Sequence, residues 1–340
     1  MIDIILLFFK RHVMTRWKQE TLSDRRARFT PTTIREIGSI ALIGFMAGFS
    51  YFVDLPLLLF PEFGALSNCV ITRPQHIWAR SPYHLAVMPA LTGCIGVLAA
   101  RLLGYSVLSV LLVLIPSLII LNFLRSPILP ALSSGLIPLV LNIPSWTYPL
   151  SVFSSCSLLA MIVYFLRKWL KTPALPEQSF RLFKGGWPRN SFRLFIFICF
   201  ISAIAFIAQR IQQPILLFPP LAVLGFEIIF HTGKHPWRHF PVILSLIFFL
   251  CATGGLVAFS LCGRSVIGVI IAASIAICIT FWRGLYVPTA IAVSLLPFVM
   301  PHVELIFPFE ITFSVAMLLL VAVTRDWLTI KMTNARSTEA

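Results

Sequence analysis

Apolar runs of about 18–21 residues, the length of a transmembrane helix, follow one another along most of this chain. That feature rules out most folds before any motif is considered. Charged residues make up only 11% of the 340 and hydrophobic ones 58%, against about 25% charged in a soluble domain. A transmembrane barrel would instead alternate apolar and polar positions over segments of about ten residues. The expected class is therefore all-α, a polytopic helical membrane protein.

Using about 20 residues per span, the chain reads as twelve membrane segments. The first six are 35–52, 55–72, 83–103, 106–124, 127–145 and 149–167. The second six are 192–210, 213–230, 241–262, 264–282, 286–303 and 305–324. The proline-containing segments 55–72 and 213–230 are candidates for broken or re-entrant helices. The resulting organisation is a basic N-terminal segment (1–34), a membrane half (35–167), a basic linker (168–191), a second membrane half (192–324) and a tail (325–340). The apolar start "MIDIILLFF" is too short to span and reads as an interfacial helix.

Charge sets the orientation. The chain holds 27 Lys+Arg against 12 Asp+Glu, a formal +15. In a membrane protein, basic residues gather in cytoplasmic loops. The N-terminal segment and the linker are rich in Lys and Arg, so both are placed in the cytoplasm. Six segments per half then also put the C-terminus there. Topology thus accounts for most of the basic excess, and no nucleic-acid partner is expected. The location expected is a bacterial cytoplasmic (inner) membrane.

Two phrases, "LLLFPEFGAL" from Leu57 and "ILLFPPLAVL" from Ile215, show that the halves correspond. Leu59-Phe60-Pro61 matches Leu217-Phe218-Pro219 at an offset of 158. Gly96, Gly104 and Ser106 match Gly255, Gly263 and Ser265 at 159. Arg125 matches Arg283, Pro130 matches Pro288, and Pro138 matches Pro297. An even number of segments per half makes the two halves parallel repeats, a transporter architecture.

Candidate chemistry follows from what is costly in lipid. Pro61, Pro130, Pro138, Pro219, Pro220, Pro288 and Pro297 fall inside segments, where a helix-interior proline frees a carbonyl and kinks the helix. Breaks at equivalent places point to a solute site, and a helix N-terminus in a cavity favours an anion. The alternative is that these prolines only shape packing. Ionisable and amide groups add Glu62, Asn68, Asn122, Asn142, Glu227 and Glu310. Glu227, ten residues and more into its segment, could carry a proton or could pair with His231. The candidate site set is Phe60, Pro61, Glu62, Asn68, Pro130, Phe218, Pro219, Pro220, Glu227 and Pro288.

The loop histidines His231, His235 and His239 are spaced by four, as metal ligands on one helix face would be. Gly233 and Pro236 argue against a helix there, so no metal and no other cofactor is expected. The seven cysteines lie in or at the ends of apolar runs with no CxxC pair, as small buried hydrophobes. No GxSxG, P-loop or HExxH signature is present, and the chain does not read as an enzyme.

The stretch "FPEFGALSNCVITRPQHIWARSPYHLAVMPALTGCIGVLAARLLG" resembles the HPP family of integral membrane proteins. So does "LFPPLAVLGFEIIFHTGKHPWRHFPVILSLIFFLCATGGLVAFSLCG" in the second half. The His-Pro-Pro signature of that family would fall on Ile128-Leu129-Pro130 and Tyr286-Val287-Pro288, where only the last proline is kept. Plastid members are linked to nitrite transport. The resemblance therefore implies a transporter or channel for a small anion, with a site between the halves. The alternatives are a non-transporting membrane scaffold or assembly protein, or an exporter of organic acids. The partners implied are the lipid bilayer and a small-molecule solute, with a homo-oligomer left open.

Overall fold

The computed structural model describes the backbone of residues 22–170, 187–230, 241–282 and 286–338. Twelve α-helices and no strand lie among these residues. The first half holds α1 (Leu22–Phe52), α2 (Pro61–Thr72), α3 (Pro82–Leu103), α4 (Val107–Phe123), α5 (Pro130–Val140) and α6 (Thr147–Trp169). The second holds α7 (Trp187–Arg210), α8 (Pro220–Phe230), α9 (Pro241–Cys262), α10 (Val266–Trp282), α11 (Pro288–Leu295) and α12 (Phe307–Thr338). A 3-10 turn precedes α2 (Pro56–Leu58) and another precedes α8 (Pro214–Leu217).

The helices sort into two layers. Large exposed apolar side chains occur on α1, α3, α4, α6, α7, α9, α10 and α12, for example Phe52, Phe123, Trp169 and Leu261, each at least 80% exposed. None occurs on α2, α5, α8 or α11. Every residue of α2, α5 and α11 is buried. So is every residue of α8 except Glu227. Eight outer helices thus enclose four short inner ones. Water could not face so much contiguous Phe and Leu. Five outer helices are also long and apolar enough to cross a membrane: Pro82–Leu103, Thr147–Trp169, Ser191–Arg210, Pro241–Cys262 and Phe307–Arg325. The protein is an integral helical membrane protein.

Two expectations need correction. Segments 127–145 and 286–303 were expected as continuous spans, but they hold helices of only 11 and 8 residues. Pro61, Pro130, Pro220 and Pro288 were expected inside helices, as kinks. Each is instead the first residue of its helix. The fixed φ and missing N–H of proline suit a first turn, whose N–H groups have no intrahelical acceptor. Each apolar run is therefore a non-α entry, in two cases a 3-10 turn, followed by a short helix. Prolines that do sit in helix interiors include Pro31 in α1, Pro89 in α3, Pro116 in α4 and Pro138 in α5.

Such interrupted backbone is tolerated at membrane depth only when protein covers it. Here the cover comes from across the molecule. Inner helix α2 packs on α11, and α8 packs on α5, so each broken helix rests on the opposite half. The same stitches hold both. Ser155 Oγ donates to Leu58 O at 2.6 Å, and Ser314 Oγ donates to Leu216 O at 2.7 Å, fastening each 3-10 turn to α6 or α12. Arg35 Nη1 donates to Thr72 O at 3.4 Å, and Arg193 Nη1 donates to Phe230 O at 3.1 Å. Each of these arginines satisfies a carbonyl at the C-terminal end of α2 or α8, which the helix cannot satisfy itself. Arg325 adds a bond to Ile229 O at 2.6 Å.

Close approach between helices also recurs. A Cβ on Gly96 would run into the backbone carbonyl of Gly135, and one on Gly255 into that of Ser294. Glycine is what lets α3 and α5, and α9 and α11, touch backbone to backbone. At the turn ends, Gly104 (φ 61°) and Gly263 (φ 60°) hold matching left-handed conformations.

Candidate functional site

The four inner helices start in the protein interior, and the start of α2 carries the one acid of their first turns. Phe60 caps α2 in an extended conformation, Pro61 opens the helix and Glu62 follows. The first N–H groups of a helix lack acceptors, and the helix dipole makes that end favourable for negative charge. Glu62 therefore has a local electrostatic reason to be there. Its carboxyl is 2% exposed, and neither oxygen has a hydrogen-bond partner. A buried, unpartnered carboxyl is costly and is retained only against selection for stability.

Around it lies a set of hydroxyls. Ser133, in the first turn of α5, donates to Pro219 O at 2.8 Å, joining the α5 start to the α8 start. Its hydroxyl, Tyr148 and Cys156 are electrostatic neighbours of Glu62. Tyr148 OH donates to Ser134 O at 2.9 Å and lies 3.1 Å from Ser134 Oγ. Ser134 Oγ donates to Pro89 O at 2.7 Å, and Thr92 Oγ1 to Ala131 O at 2.6 Å. Interior Pro89 thus sits where α3, α5 and α6 meet.

This chemistry belongs to one half only. At an offset of 159, Thr92, Ser133, Ser134 and Tyr148 give way to Cys251, Ala292, Val293 and Phe307. Glu62 gives way to Pro220 at 158. The hydroxyls are what sequence reasoning missed. Serine and threonine on an apolar helix carry no signal alone, and only the tertiary fold brings Ser133 and Tyr148 beside Glu62 and ties Ser134 to Tyr148. The available signal was the comparison between halves, where five polar groups face five apolar ones.

The other sequence candidates fall into groups. Phe60, Pro61, Pro130, Phe218, Pro219, Pro220 and Pro288 are all buried at starts of the inner helices. The Ser133 bond brings the Pro130 and Pro219–Pro220 starts together. Phe218 packs its ring 6.1 Å from that of Phe248. Asn68 turns away from the break: it donates to the Glu36 carboxylate and, at 3.0 Å, to Ser39 Oγ, tying α2 to α1. Glu227 is half-buried near the far end of α8, beside Cys69. Its weighed partner His231 lies outside the described residues, as do His235 and His239 and the metal pattern they form. Among the described residues, no three acidic, histidine or cysteine side chains gather as a metal site.

Two clefts flank this interior. One, of about 480 Å³, is lined by residues of both halves, including Asn142, Gln212, His302, Glu304 and Glu310. The other, of about 630 Å³, is lined by Arg35, Thr72, Arg73, Gln75 and His76 among others. In this basic cleft, Arg73 lies 3.5 Å above the ring of Tyr286, a stacking that joins the end of α2 to the entry of α11. His76 Nδ1 accepts from Trp78 N at 3.3 Å, and its ring meets the Trp78 ring edge-on at 4.9 Å. Burial, with the charges of Arg73 and Arg80, pushes the His76 pKa down to about 4.

That depression has a testable consequence. Unfolded, His76 takes up a proton near pH 6.5, whereas folded it resists until about pH 4. Between those values the unfolded chain binds more protons, so stability falls as pH falls through that window. Thermal unfolding of the wild type and of His76→Gln at pH 7 and pH 4.5 reads this out. The wild type should lose more on acidification than the variant. Equal losses would mean that the loop leaves His76 free to protonate.

No family model, no curated protein and no solved structure matches this chain, so the HPP resemblance rests on the sequence stretches quoted above.

Proposed function

We propose that this protein is a membrane transporter for a small anion, nitrite-like by the HPP resemblance, taken up together with a proton. In this reading the two halves are parallel six-segment repeats with both termini in the cytoplasm. The solute site lies where the starts of α2, α5 and α8 meet. The observation that carries the proposal is the Glu62 carboxyl, buried without a partner at a helix start.

Helix N-termini offer unpaired N–H groups and a partial positive charge, which suits an anion. An anion beside an ionised Glu62 would meet like-charge repulsion in a low-dielectric interior. A proton on Glu62 removes the repulsion and turns the carboxyl into a donor for the anion. Anion and proton then enter together and cross without net charge, which lowers the cost of passing the apolar interior. The recurrence of the Ser155/Ser314 and Arg35/Arg193 bonds at offsets of 159 and 158 supports the repeat part of the reading.

The experiment is uptake by proteoliposomes of nitrite, formate and acetate, with and without an inward proton gradient. The gradient should drive accumulation of at least one anion. Glu62→Gln should slow that uptake by about tenfold or more, as for loss of a positioned proton-transfer group. Glu227→Gln, off the break, should have the smaller effect. Absence of flux for every anion by folded protein, or flux indifferent to the gradient, would overturn the proposal.

A further inference from the structure

The cleft of about 480 Å³ has a chemistry that the anion site does not explain. It lies where the halves join. Val140, Leu141 and Asn142 come from the end of α5; Gln212, Gln213 and Pro214 come from the turn after α7; the stretch from Met300 to Glu310 comes from the second half. Two carboxyls face it. Glu304 is exposed, and its Oε2 accepts from Gln213 Nε2 at 3.3 Å. Glu310, in the first turn of α12, is only 7% exposed, yet its Oε1 has no hydrogen-bond partner. The two are electrostatic neighbours.

The titratable groups facing the cleft are Glu304, Glu310 and His302. Arg264 donates to the carbonyls of Met300 and Pro301 rather than to either acid. The remaining polar lining is amide: Asn142, Gln212 and Gln213. Amide and carboxyl oxygens are hard donors that suit hard cations. Two neighbouring carboxyls without a cationic partner repel each other, and a bound positive charge removes that repulsion. The first half has Ser151 in place of Glu310, at an offset of 159, so the acid is not required by the architecture.

We propose that this cleft is a binding site for a monovalent cation, either a proton or an alkali ion, with Glu310 as its principal ligand and Glu304 as its neighbour. The inference is independent of the anion reading, because it concerns binding and not flux. It also separates the molecule into an acidic cleft at one junction of the halves and a basic one around Arg35 and Arg73.

Thermal unfolding of the purified full chain in detergent tests it. One arm replaces choline chloride with sodium chloride at fixed pH. The other lowers the pH from 8 to 6 in choline chloride. A ligand that binds only the folded state raises the unfolding temperature, here by about 1–2 °C at a ligand concentration about five times Kd. A rise in the sodium arm identifies an alkali ion, and a rise in the pH arm alone identifies a proton. Either rise should vanish in Glu310→Gln and shrink in Glu304→Gln. Should Glu310→Gln fail to fold, the exposed Glu304→Gln carries the comparison. Failure of the wild type to respond in either arm overturns the proposal, as does a full response retained in the variants.

Discussion

Gly96→Ala and Gly255→Ala should each cost several kcal/mol, more than the roughly 1–3 kcal/mol of ordinary overpacking. The added methyl group meets backbone in both cases, the carbonyl of Gly135 and that of Ser294. A side chain can rotate away from a new Cβ, but a carbonyl within an inner helix can move only with its helix. α5 rests on α8, and α11 rests on α2, so that movement would spread to the break on the opposite half. The readouts are the yield of monodisperse protein and its unfolding temperature. Gly38→Ala is the control, since its methyl group would meet only Ile71 at 3.9 Å, an ordinary contact. Melting of Gly96→Ala together with this control would show that α3 and α5 are not in backbone contact.

Glu62→Met should make the protein more stable and leave it without proton-driven uptake. Methionine has nearly the volume of glutamate and no polar atom to strand. Removing a buried group with no partner should recover about 1–3 kcal/mol. Natural chains keep such groups where function requires them, at the expense of stability. The paired measurements are thermal unfolding in detergent and uptake in proteoliposomes. A variant that is destabilised would show that Glu62 has a partner, and one that still couples uptake to the proton gradient would place the proton elsewhere.

Both predictions rest on groups that sequence reasoning treated unequally. Glu62 was legible because an acid inside an apolar run is rare and expensive. Gly96 and Gly255 were legible as a matched pair, but the carbonyls they approach were not. The basic segments that precede the two halves were read from charge, while the bonds of Arg35 and Arg193 to Thr72 and Phe230 are properties of the fold. Glu310 read only as one ionisable group among several, and only its burial in a cleft shared by both halves gave it a role.

The sequence alone determined the solvent. Long apolar runs and few charges exclude a water-facing surface, so a helical membrane protein follows from hydropathy. It also pointed to breaks in 55–72 and 213–230, because proline acts locally, but not to those at Pro130 and Pro288, whose segments read as continuous spans. It could not determine which runs are lipid-facing. The inner helices are as apolar as the outer ones, since neighbouring protein and lipid tails are equally poor solvents for polar groups. Only the tertiary structure separated four buried short helices from eight exposed ones, and only it brought Ser133 and Tyr148 beside Glu62. "LLLFPEFGAL" and "ILLFPPLAVL" thus encode the same backbone break. The surrounding helices decide that a carboxyl is held at one copy and a proline at the other.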